Sequence, residues 1–409
     1  SWAEINPDIF GSMFQAVNHA DNRGTLGQHF TSVPNIMKVI EPLFLNDLKE
    51  EFENASGNKN KLNQLLYRLK NIKIFDPACG SGNFLIIAYK ELRRLEMEIF
   101  KEMGSLALSE ISLNQFYGIE LDDFAHEIAI LALWLTKHQM NVEFFKEFGR
   151  TSPTLPLTDA GNIVQGNACR LDWEEVCPKN ENDEVYILGN PPYAGQKKQT
   201  TEQKEELKFI FNHLSSYKTL DYISIWFYLA SNYCKRSHSS FAFVSTNSIV
   251  QANHVSLLWN HIFEKGLTIH FAYRDFRWGN SAVNNAGVVC VIVGLTPEIK
   301  SEKKIFTENA VITTKYINAY LQDRRNIVVL KRSYPLSIVP KMVSGNMALD
   351  GGHLLINTIQ EKKSIKESDY RAEKFIRETT GGREYLNGIE RWCLWIEDED
   401  LNEALEIPL

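Results

Sequence analysis

Apolar residues recur at helical spacing over the first seventy positions, and then the rhythm changes. Ile36, Val39, Ile40, Leu43, Leu45 and Leu48, then Leu62, Leu65, Leu66 and Leu69, fall three or four positions apart, with a loop at Gly57-Asn58-Lys59-Asn60 between them. From Ile72 onwards, short apolar runs alternate with longer periodic stretches. The pattern predicts strands at 72–75, 115–119, 163–165, 185–188, 241–245, 268–273 and 287–294, with helices at 83–103, 121–138 and 222–234. Such alternation implies an α/β protein with a doubly wound, Rossmann-like, mostly parallel sheet. Three regions are expected: a helical segment at 1–70 packing on the domain that follows, a sheet domain at 71–296, and an α+β module at 297–409 where the rhythm breaks.

Composition adds few constraints. The 409 residues, 44% hydrophobic and 23% charged, describe a chain able to bury a large core in two or three units. The apolar runs at 286–295 and 222–230 are too short to cross a bilayer, and no basic-then-apolar leader opens the chain, so a cytoplasmic location is expected. Six cysteines lie scattered, with no CxxC pair and no histidine at ligand spacing, which implies reduced thiols and no bound metal. A net charge of −7 does not advertise a nucleic-acid binder. Local clusters change that picture. Lys315, Arg324, Arg325, Lys331, Arg332 and Lys341 share one stretch, and Lys197, Lys198, Lys204 and Lys208 another, the latter diluted by Glu202, Glu205 and Glu206. Each fits either a phosphate-facing strip or a solvated surface.

Chemistry concentrates at predicted strand ends. Asp76-Pro77-Ala78-Cys79-Gly80-Ser81-Gly82-Asn83-Phe84 joins the first strand to a helix. Gly80 and Gly82 let the backbone turn tightly against a ligand, and the helix start offers free N–H groups. Asp76 places an anion there, suited to a ligand cation or amine; a phosphate loop would carry a lysine instead. The second strand ends in Glu120, the usual place for a carboxylate that holds ribose hydroxyls. After the strand at 185–188 comes Asn190-Pro191-Pro192-Tyr193. The Asn190 side-chain oxygen and the Pro191 carbonyl could accept both N–H bonds of a nucleobase amino group, making its delocalised nitrogen more nucleophilic. Pro191 and Pro192 stiffen the turn, and Tyr193 offers a face for an extruded base.

Together these motifs resemble S-adenosylmethionine-dependent DNA methyltransferases that act on amino groups. The resemblance implies S-adenosyl-L-methionine as cofactor, held by Asp76, Ala78, Cys79, Gly80, Gly82 and Phe84 in the first loop and by Glu120 and Leu121 at the ribose. It also implies Phe30 and Thr31, within Gly27-Gln28-His29-Phe30-Thr31-Ser32-Val33-Pro34, closing over the methionine moiety, and Asn167 and Ala168 beside the adenine. The family often has an acid where Asn167 stands. Asn190 would serve cofactor and base alike. The motif order is similar to the γ arrangement of adenine-N6 enzymes acting on duplex DNA. Ile9-Phe10-Gly11-Ser12-Met13-Phe14-Gln15, Phe276-Arg277-Trp278, Gly381-Gly382-Arg383-Glu384-Tyr385-Leu386-Asn387-Gly388 and Arg391-Trp392-Cys393-Leu394-Trp395 resemble the MmeI-like single-chain type II restriction–modification enzymes. There a nuclease domain precedes the methyltransferase and a target-recognition domain follows, so this chain is expected to be a middle piece.

Other features divide between readings. Phe276 and Trp278 suit either the second wall of a base pocket or the core. His19, His29, His138 and His254 show no partner spacing, which favours structural roles. Asp350 followed by Glu361-Lys362-Lys363 imitates a metal-dependent nuclease motif, but Asp350-Gly351-Gly352 reads better as a turn. The alternatives to adenine methylation are the same chemistry on cytosine N4, an RNA base or protein glutamine, and a silent DNA-binding module using the cofactor as effector.

Overall fold

In the computed structural model the described residues are 31–105, 108–150, 161–180, 183–277, 289–298, 300, 302–327, 334–335, 337–339 and 351–407. The chain divides into two compact units, Ser1–Lys331 and Arg332–Leu409.

The first unit is built on a nine-stranded sheet. Its strands are β1 (Lys73–Asp76), β2 (Phe116–Glu120), β3 (Asn162–Gln165), β4 (Val185–Gly189), β5 (Ser240–Thr246), β6 (Thr268–Arg277), β7 (Val289–Thr296), β8 (Lys303–Phe306) and β9 (Val311–Thr314). They lie in the order β3-β2-β1-β4-β5-β7-β6-β8-β9. Neighbours from β3 to β5 are parallel; β7 runs antiparallel to both β5 and β6, and β8 returns parallel to β6. Every expected strand is present. The sheet also continues past residue 296, where the sequence rhythm breaks, through β8 and the exposed edge strand β9.

Strand residues alternate between two buried clusters. Ile74, Tyr186, Leu188 and Val244 face one, and Phe75, Ile187, Phe241 and Phe243 the other. That two-sided burial is why the strands read as short continuous apolar runs. The first cluster is covered by helices from the N-terminal segment, Val33–Ile40, Asn46–Ala55 and Lys59–Asn71. Between the first two, Glu41–Leu45 forms a π turn, where Pro42 lacks an N–H for the regular ladder. Residues 1–30, including the Ile9–Gln15 motif, lie outside the described residues.

Helix ends follow local chemistry. Asn83–Met103 matches its predicted span and stops at Gly104, with φ +60°. Asp122 caps Asp123–Phe148 by accepting the Ala125 N–H at 2.8 Å. This helix runs ten residues beyond the predicted end at 138, because Met140 and Phe144 continue the buried stripe until Gly149. Thr201–Phe211, which the sequence marks only as a basic strip, is a helix closed by a Thr200/Gln203 capping box. The last predicted helix is observed at Ser224–Tyr233.

The second unit has a three-stranded antiparallel sheet, β10 (Leu355–Ile356), β12 (Trp392–Leu394) and β11 (Ile376–Glu378) in that order, with the helix Ile359–Ser368. Ile356, Phe375, Trp392, Leu394 and Ile407 form its core. The residues of the nuclease-like motif are described in this unit only in part. Asp350 lies outside the described residues, the Glu361 carboxylate accepts the Asn357 and Thr358 N–H groups at 2.8 and 3.1 Å, and Lys362 covers the Trp392 ring at 4.2 Å. Among the described residues, no helix is long and apolar enough to cross a membrane.

Candidate functional site

Strands β2, β1 and β4 end side by side at the point where strand order reverses, the crevice in which open α/β sheets bind ligands. Register sets Asp76 opposite Gly118 and Phe75 opposite Ile187, so Asp76, Glu120 and Asn190 all lie at or just past these ends.

The loop after β1 is folded by its own backbone. Asp76 Oδ1 accepts the Ala78 N–H at 3.0 Å, the Cys79 N–H donates to the Ile119 carbonyl at 3.0 Å, and the Gly82 N–H to the Cys79 carbonyl at 2.8 Å. Gly80 and Gly82 adopt φ +54° and +82°, where a side chain is strained. A Cβ on Gly80 would meet nothing within 4 Å, so open space borders the loop there. Cys79 and Phe84 are buried, and Ala78 packs against the second cluster.

Two carboxylates define the electrostatics. Glu120 is locked across the loop: its Oε2 accepts the Gly80 N–H at 2.8 Å and its Oε1 the Asp122 N–H at 2.9 Å. Burial pushes its pKa up against these two bonds. Asp76 is more completely enclosed, at 1% exposure. Burial raises it to about 8, with the nearby Glu120 charge adding to the shift and the Ala78 N–H opposing it. Leu121, beside Glu120, is exposed.

Just past the end of β3, Asn167 is occupied within the protein. Its Oδ1 accepts the Cys169 N–H at 2.8 Å, and its Nδ2 donates to the buried Glu206 carboxylate, which also accepts the Tyr222 hydroxyl. The helix Thr201–Phe211 thus brings an acid, Glu206, against Asn167. Neighbouring Ala168 is buried, and its carbonyl accepts the Trp173 indole N–H at 2.9 Å.

The turn after β4 is equally tight. Gly189 has φ +152°, and a Cβ there would lie 2.6 Å from Asp76 Oδ1. Asn190 Nδ2 donates to Thr31 Oγ1 at 3.3 Å, joining the N-terminal segment to the turn. Asn190 Oδ1 is buried and, among the described residues, has no hydrogen-bond partner. Pro191 is buried and Pro192 half-buried. The half-buried Tyr193 ring packs on the second cluster, and burial pushes its hydroxyl up, helped by Cys290 and Asp221.

The other candidates lie on other segments. Phe276 is buried in the first cluster with the Lys38 ammonium 4.5 Å over its ring, whereas Tyr193 packs on the second. Phe30 and Trp278 lie outside the described residues. Arg324 bonds the Asp323 carbonyl at 2.9 Å and Arg325 lies over Tyr316 at 5.3 Å; both are exposed, and among the described residues neither is tied to this crevice. Exposed Lys198 closes the turn that begins at Gly195. A pocket of about 610 Å³ opens just past Tyr193, lined by Lys197, Lys204, Lys208 and Lys218 with Glu205 as its acid. Sequence reading missed Gly189, Glu206, Lys218 and Asp221. None of these belongs to a motif, and only the fold brings each to its place: Gly189 against Asp76, Glu206 against Asn167, Asp221 against Ala194 and Lys218 into the pocket.

Two family models match the chain: MmeI, DNA-methyltransferase domain, over residues 52–307, and MmeI, target recognition domain, over residues 323–409. The whole chain is 47% identical to DNA methyltransferase A of Bacillus subtilis (strain 168), covering 47% of that protein. A putative type II restriction enzyme and methyltransferase of Methanocaldococcus jannaschii is 28% identical over 69% of this chain and 26% of its own length. A solved structure of the type IIL restriction-modification enzyme MmeI in complex with DNA has a TM-score of 0.88 at 40% identity, covering 99% of this chain and 56% of that one. The chain thus spans about half the length of the first relative and about a quarter of the second. With both models in sequence order on one chain, and a strand-end crevice carrying the motifs that first suggested it, this chain belongs to the MmeI family of DNA methyltransferases.

Proposed function

We propose that this chain methylates the exocyclic N6 of adenine in a specific duplex DNA sequence, with the base extruded from the helix, as the modification activity of a restriction–modification system. The observation that carries this reading is Asn190 Oδ1, a buried acceptor at the mouth of the crevice that has no partner among the described residues. Leaving such an atom unsatisfied costs about 1–3 kcal/mol, which a donor from the substrate recovers. An adenine amino group brings two N–H bonds. Asn190 Oδ1 accepts one and the Pro191 carbonyl the other, which draws the nitrogen lone pair out of ring conjugation. The prolines keep the acceptors aimed, and Tyr193 stacks on the base. The nitrogen sheds its proton after transfer, so no general base is required.

We assign S-adenosylmethionine as the methyl donor, and the crevice fits it. Glu120 is held as an acceptor for vicinal hydroxyls, and Asp76 is a latent anion for a cationic ligand. Asn83 Oδ1 is a further buried acceptor with no partner among the described residues, and Gly80 borders open space. Thr31 and Phe30 are assigned to the methionine end, Ala78, Cys79, Gly82, Phe84 and Leu121 to the loop walls. Asn167, Ala168 and Glu206 take the adenine corner. When bound, the cofactor supplies an electrophilic methyl group on a sulfonium.

Duplex DNA is the partner favoured by the lysine-lined pocket, because Lys197, Lys204, Lys208 and Lys218 gather positive charge beside the turn in an acidic chain. We assign catalysis to the large sheet with its N-terminal helices, and target recognition to the residues beyond it. The name of the Methanocaldococcus jannaschii relative pairs methyltransferase with restriction enzyme, and we extend that pairing to an attached nuclease in a cytoplasmic protein.

The test is methyl transfer from labelled S-adenosylmethionine to unmethylated genomic DNA, followed by nucleoside analysis. Labelled N6-methyladenosine is expected. N4-methylcytosine would keep the machinery but overturn the base, and bound cofactor with no label in DNA would overturn the substrate.

A further inference from the structure

Asp221 is a buried carboxylate, 4% exposed, that pairs with no lysine or arginine among the described residues. Its bonds converge on one place. Oδ1 accepts the Ala194 N–H at 2.9 Å and the Ile223 N–H at 3.3 Å, and Oδ2 accepts the Ser248 hydroxyl at 3.1 Å. Its own N–H donates to His254 Nε2 at 2.7 Å. On the other side, the Ala194 carbonyl accepts the Tyr222 N–H at 3.0 Å and the Gln199 amide at 2.9 Å, and that amide also reaches the Leu220 carbonyl at 2.8 Å. Both backbone polar groups of the residue after Tyr193 are therefore gripped by segment 220–222. That segment is held in turn by Ser248 and His254, which follow β5.

A carboxylate without a counter-ion is costly to bury, and a neutral side chain would fill the space as well. Charge-assisted bonds to backbone N–H groups are firmer than neutral ones. The feature next to this anchor that depends on orientation is the Tyr193 ring, which has to lie flat against an extruded base. We propose that Asp221 is a positioning residue for the target base: by clamping Ala194 it sets the plane of the Tyr193 ring. This role rests on the reading of the Asn190–Tyr193 turn as the base site.

In methyl transfer to duplex DNA, Asp221→Ala is expected to lower kcat about a hundredfold while cofactor Kd stays within about twofold. Asp221→Asn, whose oxygen still accepts from Ala194 and Ile223 and whose amide can donate to Ser248, is expected to keep kcat within about tenfold of wild type. In a Tyr193→Ala background, adding Asp221→Ala is expected to cost nothing further, since the carboxylate acts through that ring. Wild-type kcat in Asp221→Ala, or losses that simply add, overturn the proposal. Amide hydrogen exchange at Ala194 reads the clamp without DNA. Protection is expected in wild type and in Asp221→Asn, and rapid exchange in wild type also overturns it. If wild type labels no DNA although Ala194 is protected, the function reading fails and the base-positioning role falls with it. That result is distinct from failure of the clamp alone.

Discussion

Gly189 shows how little room the turn after β4 has. Its φ is +152°, and a Cβ there would stand only 2.6 Å from Asp76 Oδ1, which leaves no place for a side chain. Gly189→Ala is expected to cost about 1–3 kcal/mol of stability and to weaken cofactor binding, read by thermal denaturation and cofactor titration. Asn190→Ala removes the unpartnered acceptor while sparing the loop after β1. It is expected to lower methyl transfer by about a hundredfold or more with cofactor affinity changed only a few fold; full turnover would sink the catalytic assignment. Asp76 carries a pH dependence. Its ordinary value is 3.8 and its folded value about 8, so between those pH values the folded chain keeps a proton that the unfolded chain has released. Stability present at the acid end is thus lost as pH rises through that window. A cationic ligand favours the anion, so cofactor affinity is expected to rise with pH towards 8 and level off above it. Asp76→Asn should flatten that profile in a calorimetric titration, and an unchanged profile would exclude Asp76 as its source.

Elements are legible where their ends carry their own chemistry. Asn83–Met103 begins after Gly82 and stops at Gly104, two left-handed glycines visible in the sequence. The helix from Asp123 outruns its expected end by ten residues because the buried stripe of Met140 and Phe144 is diluted by polar positions, and only the packing shows it continuing. Its start is locally encoded by Asp122, so Asp122→Ala is expected to cost about 1 kcal/mol and lower Tm by about 2–4 °C. Strands β8 and β9 are not legible. Lys303 and Lys304 interrupt the apolar pattern of one and the other is an exposed edge, so neither shows the fully buried run that marks β4 or β5.

At the scale of the whole molecule, the proposed function requires a chain of net charge −7 to meet a polyanion through local clustering of its cations. Of the strip Lys197, Lys198, Lys204 and Lys208, the fold places three around one pocket and adds Lys218 from another segment. Lys197→Ala/Lys204→Ala/Lys208→Ala is expected to flatten the dependence of DNA affinity on salt, by about 0.9 in log–log slope for each phosphate no longer neutralised. Cofactor affinity should be unchanged, and Lys59→Ala/Lys61→Ala on the exposed face of an N-terminal helix serves as control. An unaltered slope would remove this pocket from the DNA surface.

The sequence by itself determined the sheet class, the strand-end motifs and their order, because a turn such as Asn190-Pro191-Pro192-Tyr193 and a loop such as Asp76–Phe84 encode their geometry within a few consecutive residues. Tertiary structure alone decided what those motifs rest on. Glu206 reaches Asn167, Asp221 grips Ala194, Thr31 meets Asn190, and Gly189 yields space to Asp76, each pair brought together from separate segments. Such partnerships have no spacing rule along the chain. They come into being only when the sheet buries its two faces and the crevice closes around the ends of its strands.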